Sequence, residues 1–245
     1  MEATLLIIAG SDSSCGAGIA ADLEAARACG ARPLLAVSAV TAQTDESLLA
    51  SHPVPPLVLE AQLKAAELAQ TDLHAVKIGM LPNEAAVETV ADFLERLRPP
   101  NIVLDPVLAS SSGGPLASAS SLETAKKRLF PLVDLLTPNL PEATHLTGLP
   151  AVSEEDLPLL ARAVLKQGPA AILLKGGHLD GPCADLLLKA NAESRLFRRE
   201  RLRPVVSRGT GCRLATATAA FLSMGEDLEK AVERACDFVQ TYLKR

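Results

Sequence analysis

The sequence predicts an α/β fold: a mostly parallel central sheet, helices on both faces, and an antiparallel hairpin at one edge. Short apolar runs alternate with longer amphipathic stretches along the whole chain, the pattern of strand–helix–strand units whose crossovers make strands parallel. Two apolar runs in the last third stand too close together for a helix to fit between them. No Pro-, Gly- or Ser-rich linker, repeat or low-complexity segment divides the chain, so one domain over 1–245 is expected. Runs 4–9, 34–40, 75–78, 102–104, 135–136 and 171–174 read as buried strands. Stretches 17–29, 57–69, 84–97, 118–129, 154–166, 210–223 and 228–243 read as helices. Runs 186–188 and 196–202, joined near 189–194, form the edge hairpin.

With 245 residues, 48% of them hydrophobic, the chain can bury roughly 70–75% of its unfolded surface in one large core. A net charge of −5 with interspersed signs, one Tyr and five Phe argue against a nucleic-acid surface of basic grooves and stacking rings. Cys15, Cys29, Cys183, Cys212 and Cys236 are odd in number and lack a C-x-x-C pair, which suggests neither a disulfide framework nor a zinc site. A reducing compartment fits this usage. Residues 1–10 are apolar but short and lack a basic leader, and no run reaches the ~20 apolar residues that cross a bilayer. A cytoplasmic protein without nucleic-acid or membrane partners is expected.

In such sheets ligands bind beyond the carboxyl ends of the strands, so the strand ends carry the functional reading. The first ends in Ala9-Gly10-Ser11-Asp12, followed by Cys15-Gly16-Ala17-Gly18 and, inside the first helix, Asp22. This glycine spacing is neither the dinucleotide fingerprint nor the P-loop. Asp12 reads as a turn or cap residue, and Asp22 as a carboxylate for a polar ring or as a solvated helix carboxylate. The second strand ends in Val40-Thr41-Ala42-Gln43, where Gln43 offers an amide donor and acceptor to a heterocycle edge. The third ends in Lys77-Ile78-Gly79-Met80, with Met80 suited to an apolar slot or to ordinary core packing.

Asp105 in Leu104-Asp105-Pro106-Val107, with Asn139 and Glu142 in Thr137-Pro138-Asn139-Leu140-Pro141-Glu142, are hard oxygen donors of the kind Mg²⁺ carrying phosphates requires. Asn139 and Glu142 equally suit a capping box, and both roles can coexist. Lys175, on Lys175-Gly176-Gly177-His178, sets an ammonium at a strand end for a phosphate, while His178 reads as structural or solvent-facing. Arg195, Arg198, Arg199, Arg201 and Arg203 read as a solvated edge strand that deters aggregation. Residues 110–114 are a small-residue loop.

Gly209-Thr210-Gly211-Cys212 is the most informative stretch. A glycine turn feeding a helix leaves free N–H groups and positive potential, a natural cradle for an anion, and a helix start should make Cys212 more acidic than a free thiol. Taken alone, the stretch equally suits a plain loop before a core helix.

The ordered set of strand-end motifs, running over nearly the whole chain, resembles the hydroxymethylpyrimidine/phosphomethylpyrimidine kinases of thiamine biosynthesis. That resemblance implies the ribokinase-like three-layer sandwich, ATP with Mg²⁺ as cofactors, and two successive phosphoryl transfers that turn 4-amino-5-hydroxymethyl-2-methylpyrimidine into its diphosphate. It implies that Gln43 and Asp22 hold the aminopyrimidine in a slot shaped by Gly10, Met80 and Val107. Asp105 and Glu142 would serve the metal, Asn139, Lys175 and Thr210 the nucleotide, and the amides of Gly209, Gly211 and Cys212 an anion hole, with Lys175 on phosphate. Cys212 would meet the hydroxymethyl oxygen or the acceptor phosphate. A homodimer is also implied.

The chain departs from the family pattern at Cys15-Gly16, at Gln43-Thr44-Asp45, and at Arg208 and Arg213, where the family carries histidine and threonine. Arg213 either adds a phosphate contact or turns outward to solvent. The family's glycine- and histidine-bearing tail has no counterpart before Arg245, which implies a more open site. A pyridoxal-type vitamin kinase on the same fold and a non-catalytic pyrimidine or nucleotide binder are the alternatives.

Overall fold

The computed structural model describes residues 3–69, 72–109, 114, 116–150, 153–177, 183–202 and 208–244. Its strands are β1 (Thr4–Asp12), β2 (Arg32–Gln43), β3 (Leu48–Pro53), β4 (Ala75–Ile78), β5 (Ile102–Leu104), β6 (Leu135–Leu136), β7 (Ala171–Lys175), β8 (Cys183–Lys189) and β9 (Ser194–Arg199). They join one nine-stranded sheet in the order β3-β2-β1-β4-β5-β6-β7-β8-β9. The run from β2 through β7 is parallel, and β3, β8 and β9 add antiparallel edges.

Alternation along each strand feeds two separate cores. Leu6, Ile8, Val76, Ile78, Leu136 and Ile172 face one layer, built from α2 (Pro56–Leu68), α3 (Glu84–Leu97), α4 (Ala119–Arg128), α5 (Leu140–Thr147) and α6 (Leu157–Leu165). Leu5, Ile7, Val103, Leu135 and Leu173 face the other, built from α1 (Gly18–Ala28), α7 (Thr210–Ser223) and α8 (Leu228–Leu243). This is the predicted three-layer sandwich. Helix α7 packs on the middle of the sheet, with Leu214 through Ser223 all buried.

Helix ends follow side-chain chemistry. Asn83 accepts from the Ala86 N–H to start α3, which ends at Arg98 in a left-handed conformation. Asp227 accepts from the Lys230 N–H to start α8.

Three elements differ from expectation. A second hairpin, β2–β3, stands at the opposite edge, and β2 runs on to Gln43. Residues 140–147 form the short helix α5, absent from the helices expected from periodicity. Helix α6 starts at Leu157 after a 3₁₀ turn over Glu154–Asp156. The arginines of β9 are ion-paired as well as solvated: Arg195 with Glu233, Arg198 with Glu154 and Arg199 with Asp237. His178, Arg203 and the 110–113 part of the small-residue loop lie outside the described residues. No helix among the described residues is long and apolar enough to cross a membrane.

Candidate active site

The chain reverses its direction of travel across the sheet between β1 and β4, and a crevice opens at such a switch point. Gly10 sits there at a register shift between β1 and β2. A Cβ on Gly10 would stand 2.8 Å from Met80 Sδ, so the glycine lets the thioether lie against β1. Met80 packs with Ala39 and Leu116, and Val107 and Leu48 close the same cluster. Gly10, Met80 and Val107 are therefore brought together, and Leu48 pairs with Gln43 across β2–β3.

The N-termini of α1 and α7 meet above this cluster. Gly209, at φ +71°, precedes α7, and a Cβ there would come within 2.1 Å of the Gly16 carbonyl oxygen. Only a glycine allows the two turns to touch. Gly18, at φ +56°, is equally confined, because its Cβ would fall 2.3 Å from the Gly10 oxygen. Among the described residues neither helix has a side-chain cap, the Gly18 N–H at the α1 start turns to Cys212, and both helix dipoles put their positive ends at the junction.

Asp22 does not face the crevice, contrary to the expectation that it meets the ring. It is fully buried, accepting from Lys77 Nζ at 2.6 Å and from Thr216 Oγ1 at 2.8 Å, so both oxygens are engaged inside the protein. Lys77, equally buried, was not singled out from the sequence; a lysine within the apolar strand Ala75–Ile78 is the signal that could have found it. Burial works against the ammonium, but the Asp22 carboxylate that it donates to, with Asp105 adding to the pull, outweighs it and holds Lys77 charged.

Beside the α7 start, Lys175 Nζ donates to Asp105 Oδ1 at 2.8 Å, and Thr137 Oγ1 donates to the same oxygen at 3.2 Å. A Cβ on Gly211 would stand 3.0 Å from Lys175 Nζ and 3.8 Å from Asp105 Oδ2, which sets this pair directly against the α7 start. The capping box is formed: Asn139 N donates to Glu142 Oε2 and Glu142 N to Asn139 Oδ1, both at 2.8 Å.

Burial pushes the Glu142 carboxyl up to about 7, against the pull of Lys175, with Asp105 adding to the rise. Its folded value lies above the ordinary 4.5. Between these limits the native state keeps a proton that the unfolded chain releases, so this contribution is full below the lower limit and lost as pH rises through the upper one. Glu142→Gln keeps a capping acceptor but cannot ionise. In EDTA, urea midpoints should therefore shift in favour of the variant between pH 5 and pH 8; a constant difference over that range would contradict the assignment.

Cys212 also departs from expectation. Burial pushes its thiol up to about 11, and the Lys77 charge and the Gly18 N–H recover only part of that rise. The helix start loses to desolvation, and the thiol stays protonated at neutral pH.

Gln43 is held on both sides. Its Nε2 donates to Thr41 Oγ1 at 2.7 Å, and its Oε1 accepts from Arg208 Nη2 at 3.0 Å. Arg213 does not turn to solvent but packs into the back of the junction, where a Cβ on Gly209 would stand 2.6 Å from its Nη1. It is buried, donating to Glu24 at 2.7 Å and to the Gly16 oxygen at 3.1 Å, and its guanidinium lies 4.1 Å over the Tyr242 ring.

Residues 12–245 match the protein family described as phosphomethylpyrimidine kinase. The hydroxymethylpyrimidine/phosphomethylpyrimidine kinase of Haemophilus influenzae is 38% identical over 239 residues, covering 96% of this chain and 88% of that protein. The chain belongs to the phosphomethylpyrimidine kinase family. It is a phosphotransferase with the ribokinase-like fold. The like-named protein of Streptomyces coelicolor is 40% identical over 235 residues, covering 96% of this chain and 86% of that protein. Among solved structures, the phosphomethylpyrimidine kinase of Clostridium difficile 630 superposes with a TM-score of 0.86 at 32% identity, covering 98% of this chain and 99% of that one. The Staphylococcus aureus pyridoxal kinase solved with pyridoxal has a TM-score of 0.90 at 30% identity, covering all of this chain and 89% of that one. A kinase of this family draws its phosphoryl group from ATP. The start of α7 touches the α1 turn at Gly16 and stands against the Lys175–Asp105 pair at Gly211.

Proposed function

We propose that the chain transfers the γ-phosphoryl group of ATP to the hydroxymethyl oxygen of 4-amino-5-hydroxymethyl-2-methylpyrimidine and then to the monophosphate so formed, supplying the diphosphate for thiamine biosynthesis. One observation carries this reading: the α7 start, without a side-chain cap, stands against the Lys175–Asp105 pair at Gly211 and touches, at Gly209, the α1 turn that packs on Gly10 of the Gly10–Met80–Val107 cluster. In this reading the α7 start is the anion hole, with a cation on one side and the ring's apolar slot on the other. Phosphoryl transfer through a loose transition state asks chiefly for alignment and charge stabilisation, and this arrangement supplies both.

In this reading Gln43 reads the edge of a ring lying on Met80 and Val107, beside Gly10. The amides of Gly209, Thr210, Gly211 and Cys212 hold the transferring and accepting phosphates, and Lys175 and Asn139 contact the nucleotide. Asp22 acts from behind the site, by keeping Lys77 charged beneath Cys212. With its thiol protonated, Cys212 shapes the hole and is not the base.

Mg²⁺ fits the donor set. Asp105 and Glu142 are buried carboxylates that share the field of Lys175, and Asp105 stands against the α7 start at Gly211. Mg²⁺ asks for one or two protein carboxylates beside substrate phosphates and its own waters, a number these two residues can supply. Asp105 and Glu142 would hold the ion, which would supply charge neutralisation for the phosphates.

The high TM-score to a pyridoxal kinase supports a second reading, in which the ring is pyridoxal. Coupled ADP-release assays with the hydroxymethylpyrimidine, its monophosphate and pyridoxal separate the two. Turnover of both pyrimidines is expected, with kcat/KM above that for pyridoxal; no ADP release with either pyrimidine would reject the proposal.

A further inference from the structure

Arg208 immediately precedes the glycine that starts α7 and occupies a position where the family pattern carries histidine. Its side chain lies across Gly16, whose Cβ would stand 3.1 Å from Arg208 Cδ and 3.3 Å from Nε. Nη2 donates to Asp12 Oδ2 at 2.9 Å and to Gln43 Oε1 at 3.0 Å. Nη1 donates to the Thr44 carbonyl oxygen at 2.6 Å and to Asp45 Oδ1 at 3.0 Å. One guanidinium therefore joins three segments: the β1–α1 turn, the β2–β3 turn and the entry to α7.

The contacts differ in worth. The Asp12 carboxylate is buried and also accepts from the Ser14 and Ala17 N–H groups, so it is a fixed anchor. Asp45 is 88% exposed, and that pair contributes little. The contact with consequence is Gln43. A guanidinium has donors only, so the amide must turn its oxygen to Arg208 and its nitrogen to Thr41. Rotating the amide by half a turn would set its NH₂ group against the guanidinium. Gln43 is thus left with one N–H and one oxygen lone pair, in a fixed order, for a ring edge.

We infer that Arg208 is a positioning residue for the acceptor: anchored on Asp12, it fixes the Gln43 amide and holds the β2–β3 turn over the cleft, and so sets which way round the heterocycle lies. This rests on the assignment of Gln43 to the acceptor site. A histidine, with one ring in place of a long fork, cannot span four acceptors on two turns, so this chain should depend on the contact where relatives do not.

The test is a double-mutant cycle on the full chain with the hydroxymethylpyrimidine as acceptor, using Arg208→Ala, Gln43→Ala and both together, with Arg208→Lys as a milder variant that keeps the charge without the fork. Arg208→Ala should raise the acceptor KM about tenfold or more, and by more than the KM for ATP. Arg208→Lys should fall between Arg208→Ala and wild type, and keeps the test open if the alanine variant folds poorly. In the Gln43→Ala background, removing Arg208 should add less than about twofold, because one residue acts through the other. If Gln43→Ala raises the acceptor KM while neither Arg208 variant does, or if the two effects multiply, Arg208 is merely structural and the inference fails while the site assignment stands. If Gln43→Ala leaves the acceptor KM unchanged, the site assignment fails and this inference with it.

Discussion

Gly209→Ala is expected to lower kcat/KM by about 10²–10³, the scale of losing an anion-hole donor, in a protein that still folds. The turn stands at φ +71°, and the added methyl would meet the Gly16 oxygen at 2.1 Å and the Ala17 Cα at 3.2 Å. These are backbone atoms and cannot swing aside, so the α7 start must withdraw from the α1 turn. The strain itself costs about 1–3 kcal/mol. Gly148→Ala is the control. Gly148 has nearly the same φ, +72°, at the end of α5, with nothing within 4 Å of its Cβ. That variant should lose stability without a comparable loss of turnover. Steady-state ADP release beside thermal unfolding checks both; a Gly209→Ala enzyme of full activity, or equal activity losses at both positions, would contradict the role given to this junction.

The largest effect on stability is expected at Asp22 and Lys77. Both side chains are fully buried and 2.6 Å apart. Asp22→Ala leaves an ammonium without its counter-charge in the interior and should cost about 3–5 kcal/mol. Replacing both partners, as Asp22→Leu with Lys77→Met, removes the desolvation penalty along with the attraction and should recover most of that loss. Turnover should not recover with it, because the charge beneath Cys212 is gone. Urea unfolding and kinetics on the single and double variants separate the two properties. A double variant no more stable than Asp22→Ala would contradict the account of the pair, and one with wild-type turnover would leave Lys77 a purely structural residue.

These expectations show what local sequence can and cannot reveal. Helix α3 was legible to its ends, Glu84–Leu97, because a strong apolar stripe coincides with an asparagine cap. Strand β3 was not, because Leu48–Pro53 is a largely exposed edge with no apolar alternation to mark it. Helix α5 has only eight residues, too few for a periodic signal, although its capping box was visible in Asn139 and Glu142. The grouping of Gly10, Met80 and Val107 was legible only through the family resemblance, and the convergence of strand ends in a parallel sheet is what brings the three together. The fates of Asp22, Arg208 and Arg213 were not. Asp22 meets a lysine 55 positions away, and the arginines meet partners 163 to 197 positions away. A charge reads as solvent-facing until its distant counter-charge is known. Cys212 shows the same limit: the helix start is local and argues for an acidic thiol, while the burial that overrules it is a property of the whole fold.

The most direct measurement is a crystal structure with an ATP analogue and the hydroxymethylpyrimidine bound together. The ring should lie on Met80 and Val107 with its edge on Gln43 and its hydroxymethyl oxygen toward the Gly209–Cys212 amides, and the triphosphate should reach the same amides from the Lys175 side. A pyrimidine bound away from the β1–β4 switch point, or a terminal phosphate that does not approach the start of α7, would contradict this site.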